Sequence, residues 1–154
     1  MPAPPPLAVL LCLTGALACS QPASPPSVWG PSAIAVTLPD GFVVQAELAA
    51  TPEQHSRGLM FRDKLPADRG MIFHFPDVRP RSFWMFQTLI PLDIIWLDAH
   101  AEVVEISAHT PPCGSSNPGE CPSYGGSVAS RYVLEIGAGQ AAAHGVEIGR
   151  RIEF

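Results

Sequence analysis

The chain has 154 residues, 47% of them hydrophobic and only 15% charged, with a formal net charge of −5. That length holds one domain with a proper core and no second one, and low charge with 18 prolines and 13 glycines suits a β-rich domain better than a helical bundle. The nine Lys and Arg are scattered from Arg57 to Arg151 without a basic stripe or a cationic amphipathic helix, which argues against a nucleic-acid partner.

The N-terminus reads MPAPPPLAVLLCLTGALACSQPASPP. Leu7 to Ala18 is an apolar run of signal-peptide length, short of the ~20 residues of a spanning helix. It ends in Ala-Leu-Ala-Cys-Ser, similar to a bacterial lipobox, with Cys19 as the residue to be lipidated. Two features depart from that pattern. Ala16 stands where Leu is usual, and Met1 to Leu7 carries no Lys or Arg. The alternative is an ordinary cleaved secretory signal. Residues 1–19 are therefore expected to be an export signal, 20–32 a Pro/Ser-rich tether, and 33–154 a single β domain held to a membrane through an N-terminal lipid anchor. The expected location is the periplasm or cell envelope.

The folded part is expected to open with a hairpin, AIAVTL and FVVQAELA flanking the turn Pro39-Asp40-Gly41. TPEQHSRGLM follows, with Thr51 as N-cap, Pro52 at the first helical position and Gln54 three residues after the cap. This capping-box pattern predicts a short helix ended by Gly58. GMIFHF, RSFWMFQT, LDIIWLD and EVVEISA each read as strands, with Asp98 to Ala101 turning the last pair. A loop from His109 to Ser127 precedes the strand YVLEIG, a helical turn in GQAAAHG and a terminal strand, EIGRRIEF. Many short strands with one or two short helices predict an all-β compact barrel or sandwich.

SFWMFQTLIPLDIIWLD is the most apolar stretch of this domain. Pro91 breaks it and the span from Ser82 to Leu97 is only 16 residues long, so it reads as two buried strands meeting at Leu89-Ile90-Pro91 and not as a spanning helix. Its aromatic residues Phe83, Trp84, Phe86 and Trp96 are core in the simpler reading; one set, on the face left less buried, could instead offer a stacking platform. Asp93 lies inside this apolar run. A buried carboxylate is costly unless bonded, so Asp93 is either a general base or, preferably, an anchor that caps amides at the Pro91 corner or pairs with Arg62. Glu135 sits in a strand on the face of Val133, which is expected to be solvent-facing. His74 is the histidine expected near the core.

Cys113 and Cys121 close a short Gly/Ser/Pro loop, and in an exported chain they are expected to form a disulfide. Zinc held by His109, Cys113 and Cys121 is the competing reading, without a CxxC pair or a clear fourth ligand. Gly137, Gly139 and Ala142 fit GxGxxA, but the chain ends too soon for a second parallel strand, so no dinucleotide and no other cofactor is expected. No GxSxG, HExxH or P-loop is present.

The ordered run GLMFR, GMIFHF, FWM, IPLDIIWLD, VVEI, the Cys113/Cys121 loop and YVLEIGAG is similar to the domain of unknown function 192 family, from about Ala46 to Phe154. The resemblance implies a single compact β-barrel or sandwich domain, often exported in bacteria. Arg62, Trp84, Thr88, Asp93 and Glu135 match family motif positions, whereas Phe86 and Gln87 stand where the family usually carries Lys-Asn. No catalytic role comes with those matches. Three functions are expected to compete: a binding or accessory module for a small molecule, sugar or envelope protein; a hydrolase using Asp93 or Glu135; and a structural envelope lipoprotein.

Overall fold

A computed structural model describes residue 1 and residues 33–154. The apolar run, the lipobox-like end at Cys19 and the Pro/Ser tether lie outside the described residues.

Among the described residues, six strands form one sheet in the order β1-β2-β3-β6-β4-β5: β1 (Ala33–Thr37), β2 (Val43–Ala49), β3 (Arg69–Trp84), β4 (Leu92–Leu97), β5 (Val103–Thr110) and β6 (Ser123–Gly137). All neighbours are antiparallel except β2 and β3, which are parallel. A parallel pair cannot be joined by a hairpin. The connection instead runs through helix α1 (Pro52–Arg57) and a loop that lay themselves across one face of the sheet. The predicted capping box is present, with Gln54 N–H donating to Thr51 Oγ1 at 3.3 Å and Thr51 N–H donating back to Gln54 Oε1 at 3.0 Å.

Strand alternation sends side chains to two faces, and both are buried. On one, Val36, Val44, Ile72, Leu134, Ile95 and Val103 come from all six strands and meet Ala141, Val146 and Ile152. On the other, Met71, Phe73, Val133, Ile94 and Trp96 pack under Leu59, Met85 and Phe83. Core residues from first and last strands in one cluster mean that the sheet curls on itself. The C-terminal tail pins its two edges: Thr37 and Glu153 exchange backbone bonds, while Ile152 N–H donates to Ala101 and Val103 N–H to Arg150. The fold is thus all-β and barrel-like, with an otherwise open sheet. Short helix α2 (Gln140–Ala143) caps the first face.

Four expectations change. The loop predicted from His109 to Ser127 is shorter, since β5 runs on to Thr110 and β6 begins at Ser123. GMIFHF and RSFW belong to a single strand, because the chain around Pro76 and Pro80 bulges out of register with β6 instead of turning away. Met85 to Thr88 are not strand; Gln87 adopts φ 54° in the bend before β4. The predicted terminal strand EIGRRIEF forms only isolated bridges, at Arg151 and Glu153. β4 is buried at all six positions, as a central strand covered on both faces should be. Ser82 and Trp84, by contrast, are exposed.

One glycine is dictated by close approach. A Cβ on Gly125, where φ is +68°, would lie 2.2 Å from the Trp96 indole, so β6 can cross that ring only without a side chain. Cys113 and Cys121 are joined in a disulfide across a separation of 8 residues, which removes both thiolates from the zinc alternative. Replacing both by Ser should lower stability by about 2–3 kcal/mol on the chain-entropy account. The check is the urea midpoint of the double variant against the parent, and an unchanged midpoint would mean that the unfolded chain already restricts this loop without its crosslink.

Candidate functional site

The structure divides the predicted site residues between the two faces. Asp93 points to the first face and is fully buried. Its Oδ1 accepts the N–H of His109 and its Oδ2 that of Ala141, both at 2.8 Å. It is the expected anchor, but its partners are amides at the end of β5 and in α2, not Arg62. His109 needs such a hold, since it sits in the left-handed region at φ 51°. Asp93 also occupies the start of the short helix in GxGxxA, where a phosphate would have to dock.

Arg62 pairs with Glu47 instead. Its Nη2 donates to Oε2 at 2.9 Å and its Nη1 to Oε1, a bidentate ion pair on the second face. Sheet register explains why Glu135 belongs to the same group. Glu47 lies beside Met71, Met71 beside Glu135, and Glu135 beside Ile94, so the two acids share a row two strands apart. That spacing is about 10 Å between backbones. Glu135 is 5% exposed, which corrects the solvent-facing expectation: alternation placed it on the right face, and the loops after α1 and β3 cover that face. Burial pushes its carboxyl from the ordinary 4.5 up to about 8, against the opposing pull of the Arg62 guanidinium. A cleft of about 260 Å³ lies nearby, lined by Glu47, Gln54, Arg57, Gly58, Arg62 and Met71; Glu135 does not line it, but one lining residue, Gly58, is close to its carboxyl. Gly58 forms part of that floor; a Cβ there would lie 3.9 Å from Glu135 Oε2 and 3.4 Å from the Phe73 ring.

Thr88 is buried in the bend before β4, its N–H donating to the Met85 carbonyl at 3.2 Å. That bend touches the Arg62 loop, because Phe61 N–H donates to the Gln87 carbonyl at 2.8 Å. Phe61 and Gln87 both hold positive φ. Arg62 and Thr88 therefore belong to two loops that meet, on the face that carries Glu135, and Asp93 does not join them.

Trp84 belongs to a different opening. It is 45% exposed at the end of β3, with its ring 5.6 Å from that of Phe86. It borders a groove of about 450 Å³ whose other walls include His55, Phe75, Arg79, Arg81 and Phe83. The remaining aromatics named from the sequence divide as core: Trp96 is fully buried, donates from Nε1 to the Arg81 carbonyl at 2.8 Å, and meets Phe83 edge-on at 5.9 Å. Arg81 has only 9% of its side chain exposed. Its guanidinium lies 3.8 Å over the Phe75 ring and its Nη2 donates to Asp77, yet its Nε finds no acceptor among the described residues. His55 donates from Nε2 to the carbonyls of Ala49 and His74, at 3.1 Å each, since both partners can only accept.

Sequence reading missed Glu47, His55 and Arg81. Alternation could have put Glu47 opposite the apolar set Val44 and Ala46, on the same face as Ala49. Nothing local joined His55 in α1 to Arg81 in β3.

The DUF192 family, described as an uncharacterized ACR, matches residues 35–154. Among solved structures, the chain is similar to a protein of unknown function from Novosphingobium aromaticivorans DSM 12444, at 33% identity over 88% of this chain and 94% of that one, with a TM-score of 0.74. It is also similar to a "putative transcription regulator" from Sinorhizobium meliloti 1021, at 30% identity over 77% of this chain and 89% of that one, with a TM-score of 0.67. No curated protein matches.

Proposed function

Because the chain belongs to the DUF192 family, whose description assigns no activity, we propose its function from its own geometry: an exported accessory module that binds a small molecule beside Trp84. The observation that carries this reading is the groove of about 450 Å³, which the exposed indole of Trp84 lines together with Arg79 and Arg81 of the same strand. Small-molecule sites are concave, mostly apolar walls with a few placed polar groups, and of this size. The lipobox-like end at Cys19 and the Pro/Ser stretch after it support an anchored domain standing off a membrane in the cell envelope. The regulator name of the Sinorhizobium relative is not carried over, since a net charge of −5 and scattered cations suit nucleic acid poorly.

The test is the intact mass of the protein extracted from its own cells, native and denatured. Native mass beyond the chain, lost on denaturation and absent from Trp84→Ala, is the expected result. Acyl mass at Cys19 in the denatured protein is expected beside it. A native mass equal to the denatured one would overturn the binding reading and leave a structural envelope protein.

A second reading, hydrolysis with Glu135 as the acid, is favoured by the carboxyl's burial close to Gly58, which lines the Arg62 cleft. Asp93 drops out of it, because both of its oxygens are held by backbone amides. This reading expects turnover that Glu135→Gln abolishes and Trp84→Ala spares.

A further inference from the structure

Resting on the reading that the Trp84 groove is a binding site, we infer that its ligand is a planar aromatic anion, a ring carrying a carboxylate or phosphate. The charge of the groove points to an anion. Arg79 and Arg81 both reach the same acid, Asp77, whose Oδ2 lies 3.2 Å from Arg79 Nε and whose Oδ1 accepts from Arg81 Nη2. Two guanidiniums share one carboxylate, so the wall keeps an excess positive charge. Asp77 is held below the ordinary carboxylate range by its bond to Arg81, and burial opposes that shift only in part. It therefore stays charged and offsets one of the two guanidiniums, leaving the other's charge for a ligand.

The two arginines have different parts. Arg81 is fixed before any ligand arrives, stacked on Phe75 at 3.8 Å and tied to both the carboxyl and the carbonyl of Asp77. A preset fork loses little entropy when an oxyanion docks against it. Its Nε hydrogen lacks an acceptor among the described residues, an unusual state for a buried polar atom. Arg79 has 66% of its side chain exposed and stands at the rim, where it can follow the ligand.

Ring chemistry comes from Trp84, at the end of the same strand. Trp84 is 45% exposed and its neighbour Phe86 is tilted at 43°, so the indole is left with open π surface. A flat ring stacking there is stabilised by offset contact in the way aromatic pairs are. A neutral sugar would also stack on Trp84, but sugar hydroxyls are served best by carboxylates and amides, and this groove offers guanidiniums, an imidazole and the hydroxyls of Ser56 and Ser82. A cationic ligand would meet both arginines. The volume suits one or two fused rings with a single charged group.

The experiment is calorimetric titration of the full chain with three probes of one shape: naphthalene-2-carboxylate, 2-naphthyl phosphate and uncharged 2-naphthamide. At least one of the anions should bind at least about tenfold more tightly than the amide, as a charge-assisted bond to Arg requires. Which of the two does so tells a carboxylate ligand from a phosphate. Arg79→Gln should cut only part of that preference, without weakening amide binding, since the fixed Arg81 keeps the rest, and Trp84→Ala should weaken every probe by about tenfold. Both positions are surface-exposed, so the variants should fold. Equal binding of amide and anions, still lost in Trp84→Ala, would overturn the anion inference and leave the binding groove standing. No binding by any probe, or binding indifferent to Trp84→Ala, would overturn both.

Discussion

Asp93→Ala should lower stability by about 4 kcal/mol, and Asp93→Asn by about half as much. The carboxylate bridges the end of β5 and the start of α2, elements joined in sequence only through the disulfide loop and β6. Removing it leaves the His109 and Ala141 amides without an acceptor, at about 1–3 kcal/mol for each buried donor. Asn keeps one acceptor but turns its own N–H₂ toward the second amide, so one bond survives. Urea unfolding of both variants, with an unchanged m-value, is the measurement. The competing idea, that Asp93 is a general base, expects an Asn variant that melts with the parent and has lost its function. An Asn variant as stable as the parent would therefore return Asp93 to the candidate chemistry.

The contrast between Asp93 and Glu135 marks where sequence stops being informative. Asp93 was legible because its neighbours on both sides are apolar, and an acid between Leu92 and Ile94 must be bonded wherever the strand runs. What bonded it was not legible, since the His109 amide is 16 residues away and Ala141 is 48. Local sequence suggests Arg62 as its partner, because that residue too follows an apolar run; the fold pairs Arg62 with Glu47 of β2 instead. Local signals that need no distant partner came through unchanged: the capping box at Thr51, the first hairpin and the strand LDIIWLD. Those that depend on what covers a face did not. Alternation correctly set Glu135 beside Val133, yet the loops after α1 and β3, which fold over that face, have no periodic pattern from which their position follows. The groove beside Trp84 was hidden for the same reason, because it exists only once α1 has been carried across to meet β3.

Glu135 makes the second large prediction, a pH dependence that Glu135→Gln removes. Its carboxyl is neutral in the fold up to about pH 8, while in the unfolded chain it ionises near the ordinary 4.5. Between those values the folded protein holds one more proton than the unfolded one, so stability falls as pH rises. Its contribution is complete below pH 4.5, declines by about 1.4 kcal/mol for each pH unit, and is lost by about pH 8, a total of roughly 5 kcal/mol at most. Above that pH both states are ionised and the slope vanishes. Gln has nearly the same shape and no proton to lose, so the variant should match the parent near pH 4.5 and exceed it by several kcal/mol at pH 8 and above. The measurement is the urea midpoint of both proteins across pH 4.5–9. Parallel curves would mean that the carboxyl is ionised throughout, stabilised by Arg62 more than burial penalises it. In that event Glu135 could not donate a proton at neutral pH, and the hydrolase reading would lose its acid while the groove beside Trp84 remained untouched.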